Sequence, residues 1–140
     1  MRRMAAAVLI IAALNQSPAD AAPNRGCRHY VDLARQVGWP KSQRANLWRI
    51  MERESGPGCN PAAINFADPW GGSYGLLQIN LSNLGWAKRI GLVNQPADLL
   101  KPETNLKVGL ALWRLYGWRP WGTRSSITNN NERPLNAHKP

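Results

Sequence analysis

The segment from Pro102 to Tyr116 constrains the fold more than any other part of the chain. Pro102 suits the first position of a helix, and Gly117 suits its C-terminal cap. On a helical wheel its apolar residues nearly encircle the segment, and one narrow charged stripe interrupts them. Such a helix lies in the middle of a domain with one edge exposed to water. The segment therefore predicts a mainly α domain built around this helix, whose charged stripe consists of Glu103, Lys107 and Arg114.

Five other segments are assigned from periodicity and from the residues that interrupt it. Helices are predicted over residues 29–37 and 41–55, because apolar residues recur at helical spacing and glycines follow each segment. Residues 60–72 are rich in Asn, Pro, Ala, Asp and Gly, which predicts an irregular loop. Residues 73–81 are short and apolar, and fit either a short strand or the start of a helix. Residues 83–90 are predicted to form a short helix.

Residues 1–21 are predicted to be a secretory signal peptide. Two arginines precede an apolar run at residues 4–14, and a small-x-small cleavage pattern ends at Ala21. The apolar run is too short to anchor the chain stably in a bilayer, so no stable membrane span is expected. A buried N-terminal helix is the alternative, which leaves this specific order of residues unexplained. Cleavage leaves a domain at residues 22–122 and a polar, loose tail at 123–140.

The chain has two cysteines, Cys27 and Cys59, and both lie after the predicted cleavage site. In an exported protein such a pair is most simply a disulfide. The bridge would close a loop of roughly 31 residues and stabilise the fold by about 3–4 kcal/mol in the chain-entropy model. His29 and His138 do not fall at ligand spacing with the cysteines, so no metal site is expected. No organic cofactor is expected either.

The formal net charge of +10, from 18 Lys and Arg against 8 Asp and Glu, favours an anionic partner. Nucleic acid, a membrane surface and an acidic wall polymer all fit that charge, as does a merely basic soluble surface. The cations are scattered, and no Lys/Arg run is long enough to argue for nucleic acid. Seven Trp suit either sugar stacking or core packing, with core packing the stronger interpretation. A monomer is expected.

The predicted helix over residues 41–55 carries two candidate acids, Glu52 and Glu54. Glu54 falls within the apolar arc of the helix and Glu52 falls at its edge. Desolvation raises the pKa of a carboxyl group, which a general acid needs near neutral pH. A carboxylate there can also be paired with a cation or exposed by the helix end. Arg53 is expected to face elsewhere on the helix. From these residues alone, a structural role for Glu54 is the stronger interpretation.

The motifs that follow change that interpretation, because their order and spacing are fairly specific. Together they resemble the lysozyme superfamily, and in particular the soluble lytic transglycosylases and the goose- and chicken-type lysozymes. The resemblance covers about residues 27–122. It is carried by Glu54-Ser55, Cys59-Asn60-Pro61, Ser73-Tyr74-Gly75-Leu76-Leu77-Gln78-Ile79-Asn80, the Pro102-x-x-Asn105-Leu106-x-x-Gly109 helix, and Gly117-Trp118-Arg119-Pro120-Trp121.

The resemblance implies an α+β lysozyme-like fold, with a short β-like segment or loop lining a sugar-binding cleft. It also implies that peptidoglycan glycan strands are the substrate and that Glu54 is the general acid. Tyr74 is expected to pack beneath the site. Trp86 and Trp118 are candidate stacking surfaces, with core packing equally favoured. The other candidate substrate-binding residues that the resemblance implies are Ser73, Gln78, Asn80 and Tyr116.

One departure from the family pattern bears on the chemistry. Chicken-type lysozymes have an Asp immediately before the Tyr-Gly segment, and this chain has Ser73 there. The usual pair of carboxylates is thus missing, although Asp68 in the preceding loop is a candidate substitute. The pattern favours lytic transglycosylation by Glu54 alone, with 1,6-anhydro products. Hydrolysis with water and a non-catalytic wall-binding module are the alternatives. Anionic wall polymers are candidate partners of the basic surface.

Overall fold

The computed structural model describes residues 25–122, and the predicted signal peptide and tail lie outside these residues. Four α-helices and four short 3-10 turns together form most of this part of the chain. The helices are α1 (Gly26–Gln36), α2 (Arg44–Ser55), α3 (Leu84–Arg89) and α4 (Pro102–Tyr116). Short 3-10 turns at Lys41–Gln43, Leu81–Asn83, Pro96–Leu100 and Arg119–Trp121 precede or follow them. None of the helices in this part of the chain is long and apolar enough to cross a membrane.

A small antiparallel sheet follows α2. Its strands are β1 (Ile64–Asn65), β2 (Ser73–Tyr74) and β3 (Ile79–Asn80), in the order β1-β2-β3. Ser73 lies opposite Asn65 on one side and Asn80 on the other. The predicted loop over residues 60–72 therefore contains a strand that the composition did not reveal. Residues 73–81 form two strands joined by a turn, so the strand interpretation is correct at both ends of this segment.

Helix α4 lies in the core, as its nearly continuous apolar surface predicts. Its buried residues include Leu106, Val108, Leu110 and Leu112, while Glu103, Lys107 and Arg114 are exposed. Helix α1 packs against α2 and α4 through residues at helical spacing, because Cys27, Tyr30, Val31 and Ala34 recur on one face. The prediction of a mainly α fold with a short β segment is confirmed.

The predicted disulfide between Cys27 and Cys59 is present. It joins α1 to the loop after α2, and the two Cα atoms are 5.0 Å apart. The bridge therefore ties the segment that follows the candidate acid to the first helix. The boundaries of the other predicted helices shift slightly, because α1 begins earlier than predicted and residues 41–43 form a 3-10 turn rather than a turn of α2.

Candidate active site

Glu54 lies in the last turn of α2, and its position follows from the way the helix ends. Gly56 is the C-terminal cap with φ of +85°, a backbone conformation that glycine adopts without steric cost. The helix therefore stops two residues after Glu54, and the chain turns away from it. The Glu54 side chain is 23% exposed. The Glu54 carboxyl group is therefore partly accessible to solvent. A catalytic group needs such access to contact a substrate.

The guanidinium of Arg53 holds one oxygen of Glu54. Arg53 Nε and Nη2 donate to Glu54 Oε1 at 2.9 and 2.5 Å, and Nη2 also donates to the carbonyl of Trp121. Within residues 25–122, Oε2 of Glu54 has no hydrogen-bond partner. The expectation that Arg53 faces elsewhere is therefore wrong. Adjacent helical residues point in different directions, but the long Arg53 side chain is flexible enough to reach its neighbour.

The neighbours of Glu54 have other surroundings. Glu52 is exposed on the surface of α2. Ser55 is buried, and its hydroxyl donates to the carbonyl of Met51 at 2.8 Å, a bond within the same helix. Of the two candidate acids, only Glu54 combines partial burial with a fixed orientation.

The segment from Ser73 to Asn80 forms the predicted hairpin, with its polar side chains bonded largely to one another and to the backbone. Ser73 is buried, and its hydroxyl oxygen accepts from Asn80 Nδ2 at 3.3 Å. Asn80 Nδ2 also donates to the carbonyl of Pro69, and its Oδ1 accepts from the Ser82 amide. Tyr74 is half-buried and its hydroxyl donates to the Gly71 carbonyl at 3.4 Å.

Gln78 sits in the turn between β2 and β3 with φ of +45°, which is unusual for a residue that is not glycine. Its Nε2 donates to the carbonyls of Ala63 and Gly75, at 3.1 and 3.0 Å. The amide group therefore closes the turn and attaches it to the segment before β1. These bonds give Gln78 a structural role at the place where the resemblance implies a substrate contact.

Asn105 of α4 connects this hairpin to the helical core. It is fully buried, its Nδ2 donates to the carbonyls of Tyr74 and Leu99 at 2.8 Å each, and its Oδ1 accepts from the Leu77 amide at 2.9 Å. A Cβ atom at Gly75 would lie 2.4 Å from Asn105 Nδ2, so only glycine fits there. The Pro-x-x-Asn pattern thus supplies the side chain that supports the hairpin.

Gly109, one turn further along α4, has a similar role. A Cβ atom there would lie 2.3 Å from Leu77 Cδ1, and Leu77 is fully buried. Because Leu77 occupies the space above Gly109, the hairpin packs directly on the helix backbone. Asn105 and Gly109 therefore both contribute to the packing of the hairpin on α4.

The carboxylate of Asp98 orders the turn that presents the Leu99 carbonyl to Asn105. It accepts from the amides of Asn94 and Gln95 at 2.8 and 3.1 Å, and from Lys101 Nζ at 2.8 Å. Two hydrogen bonds lower the pKa of Asp98 from its ordinary 3.8 to about 2. The larger effect comes from the side chain of Lys101, and the next largest from the amide of Asn94. The group is therefore ionised at neutral pH and stabilises the start of α4.

The aromatic candidates divide by burial. Trp118 is only 7% exposed, its ring stacks on Trp39 with centroids 5.4 Å apart, and its Nε1 donates to Gln43. The core-packing alternative therefore describes Trp118 better than a stacking surface does. Trp86 is half-buried against the core, while Tyr116, the last residue of α4, is 42% exposed.

Two exposed aromatics were not identified from the sequence. Phe66 is 74% exposed and Trp70 is 71% exposed, and both lie in the β1–β2 connection. Asp68 lies between them, and its carboxylate accepts from Asn65 Nδ2 at 2.9 Å. The composition of residues 60–72 predicted an irregular loop and gave no sign that these two side chains would be exposed.

A mainly α domain with a small sheet and a partly buried Glu at the end of a helix is a lysozyme-like fold. Trp121 connects that helix end to the hairpin, because its carbonyl accepts from Arg53 and its Nε1 donates to the carbonyl of Leu77. Residues 39–117 match the family described as the transglycosylase SLT domain. The chain belongs to this family, which acts on peptidoglycan by glycosidase or transglycosylase chemistry. No curated protein and no solved structure matches the chain.

Proposed function

We propose that this protein cleaves the β-1,4 bond between N-acetylmuramic acid and N-acetylglucosamine in peptidoglycan, with Glu54 as the catalytic residue. The observation that carries the proposal is the geometry of Glu54. One oxygen is held by Arg53, and the other has no partner within residues 25–122. A carboxyl group that is oriented in this way and partly exposed can donate a proton to a glycosidic oxygen.

The reaction we favour is lytic transglycosylation. Protonated Glu54 donates its proton to the glycosidic oxygen, and the bond from C1 of the muramyl residue to that oxygen breaks. The Glu54 carboxylate then takes the proton of the muramyl 6-hydroxyl as that oxygen bonds to C1. The product has a 1,6-anhydro end, no water is consumed, and Glu54 returns to its protonated form.

A single-carboxylate mechanism is supported by what lies at the usual position of a second acid. Ser73 occupies that position, and its hydroxyl is bonded to Asn80. The candidate substitute Asp68 is bonded to Asn65 in the loop. Hydrolysis by water activated at Glu54 uses the same acid and leaves reducing ends instead. The products therefore distinguish the two reactions.

Glu54→Gln tests the role of Glu54. We expect release of soluble fragments from purified peptidoglycan to fall by about 10²-fold or more, because an amide cannot transfer the proton. Glu52→Gln is the matched control, since Glu52 is exposed on the same helix, and its activity is expected to stay near that of the wild type. Mass spectrometry of the fragments should find 1,6-anhydro ends. Full activity of Glu54→Gln would remove Glu54 from the mechanism.

Arg53 is proposed to position Glu54. Arg53→Ala is expected to lower kcat by about 10-fold or more with little change in KM, because a misplaced acid slows the chemical step more than it weakens binding. Arg53→Lys keeps one donor and is expected to recover part of kcat. The measurement is steady-state release of fragments from solubilised glycan strands. A change confined to KM, or no recovery with lysine, would argue against positioning.

The proposed enzyme acts outside the cytoplasm, after export directed by the predicted signal peptide at residues 1–21. The disulfide between Cys27 and Cys59 suits an oxidising compartment. The formal charge of +10 would hold the protein on anionic wall polymers. We propose that it works as a monomer and without a cofactor.

A further inference from the structure

The β1–β2 connection exposes two large aromatic side chains. Phe66 is 74% exposed and Trp70 is 71% exposed, so most of the surface of each residue is in contact with water. Neighbouring exposed aromatics are uncommon on a soluble monomer and mark binding surfaces when they are held in place.

The loop that carries these rings is fixed by its own hydrogen bonds. Asn65 Oδ1 accepts from the Ala67 amide at 3.1 Å, and Asn65 Nδ2 donates to Asp68. The carbonyl of Pro69 accepts from Asn80 Nδ2 at 2.9 Å. The loop is therefore held by hydrogen bonds on both sides of Asp68, and Trp70 is exposed on an ordered loop.

The backbone at Trp70 is held in a conformation that a bulky residue rarely adopts. Its φ is +65°, and φ is +93° at Gly71 and +96° at Gly72. Glycine fits this backbone conformation without steric cost, whereas the Cβ atom of tryptophan is strained there. Backbone strain of this kind is concentrated at functional positions. At Trp70, the strained backbone carries an exposed indole ring.

The loop adjoins the candidate active site. Asn80 Nδ2 donates both to the carbonyl of Pro69, which precedes Trp70, and to the hydroxyl of Ser73. Phe66 contacts Tyr74 edge to face, with ring centroids 6.2 Å apart. The aromatic loop and the hairpin are therefore parts of one surface.

Charge indicates what this surface binds. No Lys or Arg occurs between Arg53 and Lys88, although the chain as a whole carries a formal charge of +10. A surface that inserts aromatics into an anionic membrane carries cations beside them. Here the only charged residue in the loop is Asp68. An uncharged partner with flat apolar faces fits these two rings better than an anionic one.

We propose that Trp70 and Phe66, both exposed on the β1–β2 connection, form a stacking surface for N-acetylhexosamine rings of the glycan strand. The proposal rests on the proposed function, since it adds the β1–β2 connection to the surface that binds the glycan strand. The apolar face of a sugar ring and the methyl group of its acetamide pack on the indole, while the ring hydroxyls stay in water. Trp70 is a binding residue in this scheme and takes no part in proton transfer.

The test measures binding separately from cleavage. Calorimetry with the N-acetylglucosamine tetrasaccharide, in the Glu54→Gln background, compares added Trp70→Ala, Trp70→Phe and Leu115→Ala substitutions. Leu115 is 49% exposed on α4 and is the matched control for lost apolar surface. We expect Trp70→Ala to weaken binding about 10-fold, Trp70→Phe to retain part of the affinity, and the Leu115 variant to be unchanged. Equal affinities for all the variants would overturn the proposal.

A second measurement excludes misfolding as the cause. Because the strain at Trp70 is relieved by glycine, Trp70→Gly is expected to lose tetrasaccharide binding while its melting temperature is unchanged or higher. A lower melting temperature together with lost binding would make Trp70 structural and overturn the proposal. So would loss of binding to anionic phospholipid vesicles with unchanged affinity for the tetrasaccharide.

The two proposals fail in different ways. If the protein with Glu54 intact releases no fragments from peptidoglycan but Trp70→Ala still weakens tetrasaccharide binding, the cleavage reaction is refuted and the stacking surface stands. If fragments are released and Trp70→Ala changes neither KM nor affinity, the stacking surface is refuted and the cleavage reaction stands.

Discussion

Replacement of Asn105 by Ala is expected to destabilise the domain and the hairpin together. Asn105 is fully buried and makes three side-chain hydrogen bonds, to the carbonyls of Tyr74 and Leu99 and to the amide of Leu77. Alanine leaves these backbone groups without that partner, and an unsatisfied buried polar group costs about 1–3 kcal/mol. Allowing for partial relaxation of the hairpin, the free energy of unfolding should fall by about 3–5 kcal/mol.

Thermal and urea unfolding followed by circular dichroism measures this loss. For a domain of this size the melting temperature should fall by roughly 12 °C or more. Asn94→Ala is the matched control, because Asn94 is exposed and uses its backbone amide to bind Asp98. Peptidoglycan cleavage should fall even where Asn105→Ala is still folded, since the hairpin loses its support. A loss below about 1 kcal/mol with normal cleavage would refute this account of the Pro-x-x-Asn position.

Two further predictions concern buried polar groups. The Tyr30 hydroxyl is buried and has no hydrogen-bond partner within the described residues. Tyr30→Phe should therefore leave the free energy of unfolding unchanged or raise it by up to about 1 kcal/mol. A clear decrease in the free energy of unfolding, measured with urea, would indicate a missed partner. The pKa of Asp98 is lowered to about 2 from 3.8, so its contribution to stability is present above about pH 4 and is lost as the pH falls towards 2. Urea unfolding of the wild type and Asp98→Asn should therefore differ at pH 6 and converge near pH 2, and a constant difference would contradict this origin.

The sequence predicted the elements whose patterns are long. Helix α4 has the predicted bounds, because its apolar residues, its N-terminal Pro102 and its Gly117 cap all indicate the same helix. Strand β1 was missed because two residues cannot display an alternation, and the strand exists through pairing with β2 rather than through its own composition. The Trp118 environment was equally beyond the sequence, since stacking on Trp39 depends on contacts between distant segments.

The sequence predicted which residues belong to the candidate site, but it did not predict the contacts that these residues make. The motifs downstream selected Glu54, since its place on the apolar arc alone favoured a structural role. The contact with Arg53 was wrongly excluded, because the spacing of adjacent helical residues does not account for the reach of a long, flexible side chain. Trp70 could not be identified, because neither its exposure nor its backbone conformation is written in the residues around it.

Lys and Arg residues are unevenly distributed along the chain. The chain has an excess of cations, yet residues 54–87, which end α2 and form the whole sheet, contain none. Under the proposed function, a cation beside the hairpin would attract the anionic peptides and polymers that surround the glycan, and these would compete with the sugar rings. Arg53, at the edge of this region, donates to Glu54. We therefore propose that cations elsewhere on the protein hold it on the wall, and that the segment without cations leaves the proposed sugar site accessible.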